Sequence, residues 1–288
     1  MTQLANTLLH LRSTYPTLRP AERRVAQEIL ENPQEVVHLS ITELATRAEV
    51  SDATVVKFCK RLGYKGLQEF KILLAQDVAI QPEPIYGEVE PDNDLHTIKE
   101  KIFQANITAL QDTAKVLDSQ ILEATVGAMA RAREIHFYGL GASGIVALDA
   151  EQKFSRIGLR ANAFVDPHMQ ITRAILLKSR DVAVGISYSG ETLEIVEALQ
   201  AAKSAGAITV AITNFSASTI AQQADLVLLT SSHENIFRSG AISSRIAQLS
   251  TIDTLFIAVA LVDYDRSQDS IEKTREILSQ RNIERLKA

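Results

Sequence analysis

Cysteine is nearly absent: Cys59 is the only one in 288 residues. One thiol excludes an internal disulfide and suits a reducing compartment, so the cytoplasm is the expected location. Cys59 itself lies in "VVKFCKRL" at a core-like helical position, which reads as a buried small hydrophobe rather than a reactive thiol. Long apolar runs are also missing. The longest candidate, "LFIAVALV" at 255–262, falls far short of the roughly 18 residues a membrane helix needs and reads as a buried helix segment. The opening stretch "MTQLANTLLHLRSTYP" has no basic leader, apolar core and small-residue cleavage site, so no secretion signal is expected. A general excess of positive charge is lacking too. The net charge of −5 excludes a chain that is basic all over, and any nucleic-acid contact must come from a local patch. Between Lys71 and Lys99 there is no Lys or Arg at all, while three prolines and several acids occur; this is a linker by composition, and its acidity would keep it off DNA.

What is present is ordinary globular material, 46% apolar and 23% charged, in a chain long enough for two domains. Residues 1–77 read as all helix. Apolar residues recur at helical spacing in "AERRVAQEILEN", "ITELATRA", "ATVVKFCKRLG" and "LQEFKILLAQ", separated by stop and turn signals at Pro20, Asn32-Pro33, Glu49 to Ser51 and Gly63 to Gly66. From about Lys99 two more helical stretches lead into short β-rich runs, "EIHFYG", "RANAFV", "DVAVGIS", "ITVAIT" and "LVLLTS", which alternate with helices. Strand runs without polar alternation suit a parallel sheet covered on both faces, and the alternation with helices predicts a doubly wound α/β fold. A last helix from about Ile242 to Val262 is expected to close it.

Two strand tips carry concentrated chemistry. "GLGASG" (139–144) follows "EIHFY", and "SYSGET" (187–192) follows "DVAVGI"; each precedes a helix. In open α/β sheets ligands bind outside the carboxyl ends of the strands, and a helix start presents backbone N–H groups to an anion. Hydroxyls at the same place add neutral donors, so the pattern fits a phosphate held close to the backbone. A dinucleotide fingerprint would use the first tip and an acid such as Asp166, but would leave "SYSGET" without a role, and the lysine of a phosphate-binding Walker loop is missing. Two tight turns with capped helices, Ser187 or Ser189 serving as a cap, are the plain alternative.

"FYGLGASG" with "GISYSGET" resembles the sugar isomerase (SIS) domain, a phosphosugar-binding fold, over roughly 128–262. The resemblance implies a phosphate held by Ser187, Ser189 and Thr192, with Ser143 as the first loop's hydroxyl. Ser231, Ser232 and Glu234 lie at the tip of the last strand. Glu234 would accept from sugar hydroxyls and Arg238 would pair with an anionic group, or both are solvated surface residues.

"SITELATRAEVSDATVVKFCKRLGYKG" has helix-turn-helix form. Ala45 is small where two helices cross, Val50 plugs the turn, Ser51 or Asp52 caps the second helix, and Val55 and Phe58 face the core. Glu49 stands where such turns often carry glycine. From Ser51 to Lys71 there are five bases against two acids, a local positive excess that is either a DNA-facing surface or a solvated face. From residue chemistry, Thr54 and Lys57 would approach base edges, while Lys60, Arg61 and Lys65 would contact phosphates.

The order of a helix-turn-helix, an acidic linker and a SIS domain resembles the RpiR family of bacterial transcription regulators over nearly the whole chain, "RPAERRVAQEILENP" matching the family's opening helix. The resemblance implies a multidomain protein: an all-α helix-turn-helix domain at 1–77, a linker at 78–98 and a doubly wound parallel-sheet SIS domain at 99–288. It implies a regulator that binds a pseudo-palindromic double-stranded operator as a homodimer or homotetramer, with affinity modulated by a phosphosugar, and with no cofactor, metal or membrane partner. Amino-sugar phosphates such as N-acetylmuramic acid 6-phosphate and acidic ones such as ketodeoxy-phosphogluconate both fit. The alternative is a phosphosugar isomerase with an accessory helical domain, for which His233, Glu234, Glu191 and His168 would be the available bases.

Overall fold

The computed structural model describes residues 7–80, 89–232 and 241–279. It divides into two compact units: residues up to 108 together with 215–218, and residues 109–214 together with those from 219 onward.

In the first unit the described helices are α1 (Thr7–Thr14), α2 (Pro20–Glu31), α3 (Pro33–Val36), α4 (Ile41–Arg47), α5 (Asp52–Arg61) and α6 (Leu67–Ile80), with a 3₁₀ turn at Tyr15–Thr17. Local chemistry sets their starts. Pro20 and Pro33 occupy first helical positions, where a missing N–H costs nothing. Ser40 and Glu43 form a reciprocal capping box at α4: the Glu43 N–H donates to Ser40 Oγ at 3.2 Å, and the Ser40 N–H donates to Glu43 Oε2 at 2.6 Å. Leu11, Val25, Ile29, Val36, Leu44, Val55, Phe58, Phe70 and Leu74 form one buried core. Each such side chain contributes about 1.5–3 kcal/mol by leaving water. Residues 81–88, inside the expected linker, lie outside the described residues; α6 runs to Ile80 and α7 (Leu95–Val116) begins at Leu95.

The second unit contains a five-stranded sheet, β1 (Ile135–Gly139), β2 (Ala161–Phe164), β3 (Val182–Ile186), β4 (Ile208–Thr213) and β5 (Leu226–Leu229), in the order β2-β1-β3-β4-β5. All pairs are parallel. The helices are α8 (Ser119–Ala130), α9 (Gly141–Arg156), α10 (Pro167–Ala174), α11 (Leu193–Ser204), α12 (Thr219–Gln223), α13 (Ser243–Val262) and α14 (Tyr264–Ser279). Both faces of the sheet are covered. Val182, Val184 and Ile186 of β3 join Phe154 of α9 and Leu255 of α13 in one core, while Ala183 joins Leu199 of α11 and Ile220 of α12 in the other. Burial on both sides is why the strand sequences show no polar alternation.

Helix α13 is long and apolar enough by composition to cross a bilayer, yet Ala247, Ile252, Leu255 and Val259 are buried in the core it shares with α8 and α9. It is a core helix. Helix α14 was not expected from the sequence. Only Ser267 of it is buried, so it has almost no apolar stripe to announce it, and i,i+4 pairs such as Lys273–Asp269 decorate its outer surface.

Below the sheet's carboxyl edge, burial controls one titration. His136 in β1 is 1% exposed; its Nε2 lies 2.7 Å from Glu134 Oε1 and its Nδ1 3.0 Å from the Tyr138 hydroxyl. Burial pushes the imidazole below its ordinary value despite the Glu134 carboxylate, so the contact is a hydrogen bond from a neutral ring. His10 is lowered by burial as well. The unfolded chain therefore takes up these protons first, near pH ~6.5, and the stability is present above that pH and lost as pH falls through it, by at most about 1.4 kcal/mol per pH unit for each ring. Denaturant unfolding at pH 7.5 and 5.5 should show a less stable chain at the lower pH, with part of the difference removed in His136→Gln. A wild-type pH slope in that variant would place the effect elsewhere.

Candidate functional site

The strand order reverses between β1 and β3, and the loops that follow these two strands open side by side at the carboxyl edge. After β1 the chain turns at once into α9. A Cβ on Gly139 would collide with the Ser143 backbone, so only glycine lets the helix start this close to the strand end. Ser143, in the first turn of α9, donates to Gln248 Oε1 of α13 at 3.3 Å.

The loop after β3 is built from its own hydroxyls. Ser187 is buried, and its Oγ accepts the Gly190 N–H at 3.1 Å and lies 3.0 Å from Thr192 Oγ1. Gly190, at φ 67°, takes the left-handed conformation that closes this turn. Ser189 Oγ accepts the Glu191 N–H at 3.2 Å. Thr192 is the N-cap residue of α11, but its hydroxyl is turned to Ser187, so the first turn of the helix receives no side-chain cap. The arrangement brings Ser187 and Thr192 together at an uncapped helix start, with Ser189 between them in the chain, and backbone N–H groups at such a start favour an anion.

The other strand tips are tied to this loop by residues the sequence reading missed. Asn214, just past β4, accepts the Ser232 N–H at 2.8 Å and donates to its carbonyl at 3.4 Å; the Tyr188 hydroxyl donates to the same carbonyl at 3.4 Å. Ser231 exchanges backbone bonds with Thr113 Oγ1 of α7. Ser231 and Ser232 thus brace the edge beside the loop. Asn214 was findable, since it follows a strand at the ligand-binding edge; Tyr188 and Gln248 gave no local signal. Glu234, His233 and Arg238 lie outside the described residues. Two further residues singled out in the sequence are occupied. The Glu191 carboxylate accepts the Thr219 N–H at 2.8 Å and its hydroxyl at 2.6 Å, so it is engaged at the start of α12. Asp166 caps α10 by accepting the Met169 N–H at 2.9 Å. His168 is exposed in the same helix. Among the described residues no group of three or more His, Cys, Asp or Glu side chains is placed to hold a metal.

In the first unit α4 and α5 form the helix pair. Ala45, Val55 and Phe58 are buried between the helices, and the Val50 N–H donates to the Ala45 carbonyl at 2.9 Å to close the turn. Glu49 sits at φ 52°, the left-handed conformation that glycine would take without strain. Arg24 of α2 holds the turn from outside, donating to the carbonyls of Ala48 and Glu49, each at 3.1 Å. Ser51 occupies the N-cap position of α5 without capping it: its hydroxyl lies 2.9 Å from Thr54 Oγ1, and Asp52 accepts from Thr42 at 3.0 Å. Lys57, Lys60 and Lys65 are exposed and make no ion pair among the described residues. Arg61 departs from the expected phosphate role. Its Nη1 pairs with Glu22 Oε2 at 2.6 Å and its Nη2 donates to the Thr17 carbonyl at 2.8 Å, so it braces α5 against the start of α2. Cys59 is buried, and burial pushes its thiol up to about 12, which keeps it a protonated core residue.

The sequence matches two described domain families: a helix-turn-helix domain of the rpiR family over residues 5–81 and a SIS domain over residues 128–258. An uncharacterized HTH-type transcriptional regulator of Caldanaerobacter subterraneus is 44% identical over 280 residues, covering 97% of this chain and 99% of its own length. The HTH-type transcriptional regulator HexR of Pseudomonas aeruginosa is 37% identical over 286 residues, covering 97% and 100%. The solved structure of the Vibrio vulnificus NanR protein complexed with ManNAc-6P is 31% identical, with a TM-score of 0.61 over 95% of this chain and 98% of that one.

The turn between α4 and α5 makes a direct test. A side chain in the left-handed region costs about 1–2 kcal/mol, and a new glycine gives back about 0.4–1 kcal/mol through the freer unfolded chain. Glu49→Gly is therefore expected to keep or raise stability by up to about 1 kcal/mol in denaturant unfolding, whereas the β-branched Glu49→Val should lose more than about 1 kcal/mol. A large loss in Glu49→Gly would mean that the Glu49 side chain, not its backbone, matters there.

Proposed function

Because the chain belongs to the RpiR family of helix-turn-helix transcriptional regulators, with a SIS domain following, we propose that its operator binding is modulated by a phosphosugar held over the loop Ser187–Thr192. The observation that carries this is the Ser187–Thr192 hydroxyl pair at the uncapped start of α11, in a loop that also carries Ser189 and lies beside the Ser143 loop. The phosphate takes hydrogen bonds from Ser187, Ser189 and Thr192 and from the helix amides, and the sugar extends toward Ser143. The ManNAc-6P bound by the NanR relative supports a phosphosugar of this size, with amino-sugar phosphates first among those to test. The relatives named as transcriptional regulators, and a Glu191 carboxylate already spent on capping α12, support sensing over catalysis. On the DNA side α5 enters the major groove, with Thr54 and Lys57 toward base edges and Lys60 and Lys65 toward phosphates. A homodimer or homotetramer places two such helices on the half-sites of a pseudo-palindromic operator.

Ser189→Ala is expected to weaken phosphosugar binding by about 1–3 kcal/mol in titration calorimetry, because it removes a donor to a partly buried anion. Ser187→Ala should do the same and also loosen the loop, since Ser187 holds the Gly190 amide. DNA binding without effector should stay nearly unchanged in both. A thermal-shift screen of phosphosugars finds the ligand, which at 100 times its dissociation constant adds about 2.7 kcal/mol. Unaltered affinity in both variants would remove this loop from the site.

Lys57→Ala should lose DNA affinity and blur sequence preference, since a base contact carries about 1–3 kcal/mol of discrimination. Lys65→Ala should weaken operator and scrambled duplexes alike and flatten the salt dependence by about one phosphate contact. Fluorescence anisotropy on both duplexes at several salt concentrations separates the two. Equal losses on both duplexes for Lys57→Ala would confine that residue to the backbone, and no loss in either variant would make the charges a solvated face.

A further inference from the structure

Gln248 in α13 is 1% exposed, and its amide is half used: Oε1 takes the Ser143 hydroxyl at 3.3 Å, while Nε2 has no partner among the described residues. Turning the amide over would pair Ser143 with the nitrogen and strand the oxygen instead, so either orientation leaves one buried polar atom over. Ser243, in the first turn of the same helix, is equally buried, and its hydroxyl is also without a partner among the described residues. Buried polar side chains are almost always paired, and a leucine or methionine would fill the position of Gln248 without the cost of an unmet donor. The Ser143 contact fixes where the spare group lies: at the first turn of α9, on the rim of the β1 loop and beside the β3 loop.

We propose that Gln248 is a specificity-determining residue that donates a hydrogen bond to an oxygen acceptor on the sugar portion of the effector, such as an acyl carbonyl, a carboxylate or a ring hydroxyl. The inference rests on the phosphosugar reading above. Among the described residues the amide nitrogen is unpaired, and the bound sugar supplies its acceptor. The phosphate-holding loop gives affinity for any phosphorylated ligand, and Gln248 separates one sugar from another. A sugar that offers no acceptor there leaves the donor buried and unpaired, and is rejected for that reason.

The test uses the full chain, a panel of N-acetylhexosamine, hexose and aldonate 6-phosphates, and inorganic phosphate. Gln248→Met keeps length and volume but removes both polar atoms. The best panel member for the wild type should bind this variant at least about fivefold more weakly, the affinity ratio across the panel should shrink, and inorganic phosphate should bind as before. The melting temperature of the free variant should change little, because losing an unpaired buried donor offsets losing the Ser143 acceptor. Ser189→Ala, in contrast, should weaken inorganic phosphate and every sugar phosphate together. Wild-type panel affinities in Gln248→Met would overturn the inference and leave the effector site standing. A lower melting temperature with equal losses for inorganic phosphate and sugars would overturn it too, by making Gln248 a structural support. A wild type that binds no member of the panel would overturn the phosphosugar reading, and this inference with it.

Discussion

The placement of β1 beside β3 is the constraint on which the second unit depends. The chain leaves β1 for β2 on one side and leaves β3 for β4 on the other. The helices after the two strands therefore separate, α9 packing into the core on one face of the sheet and α11 into the core on the opposite face. The loops around Ser143 and Ser187–Thr192 therefore sit side by side at the carboxyl edge of the sheet, where the two helices diverge at a switch in strand order.

The hydroxyl side chains of these loops are neutral, which fits the burial of Ser187. A lysine at the position of Ser187 would have to leave water and find a counter-charge when no ligand is bound. Hydroxyls avoid that cost because they pair with each other: Ser187 with Thr192 and the Gly190 amide, Ser189 with the Glu191 amide. The hydroxyls of this loop are thus satisfied within it. Gln248 differs, since its second polar atom has no partner among the described residues.

In the first unit, arginine and lysine divide the work by geometry. Arg24 and Arg61 spend planar guanidinium groups on pairs of acceptors inside the protein: two turn carbonyls in one case, a carboxylate and a carbonyl in the other. The fork suits such two-point bracing. The lysines at 57, 60 and 65 stay in solvent as mobile point charges. The strained Glu49 turn is tolerated because the Arg24 clamp and the Val50 to Ala45 bond hold it from two sides.

The sequence by itself determined the helical first unit, the alternation of strands and helices, and the two loaded loops, because periodicity, turn residues and hydroxyl clusters are local and survive in one dimension. It also pointed correctly to Val55 and Phe58 as core. It did not show α14, which buries almost nothing and so carries almost no apolar period. Nor could it show that Arg61 faces Glu22, that Asn214 holds Ser232, or that Ser143 meets Gln248 across 105 residues. In each of these the decisive partner is distant in the chain and chemically ordinary. Counting charges registers Arg61 as free, and no spacing rule links a serine in α9 to a glutamine in α13. Only the folded arrangement decided which polar groups were already satisfied and which still had a bond to give.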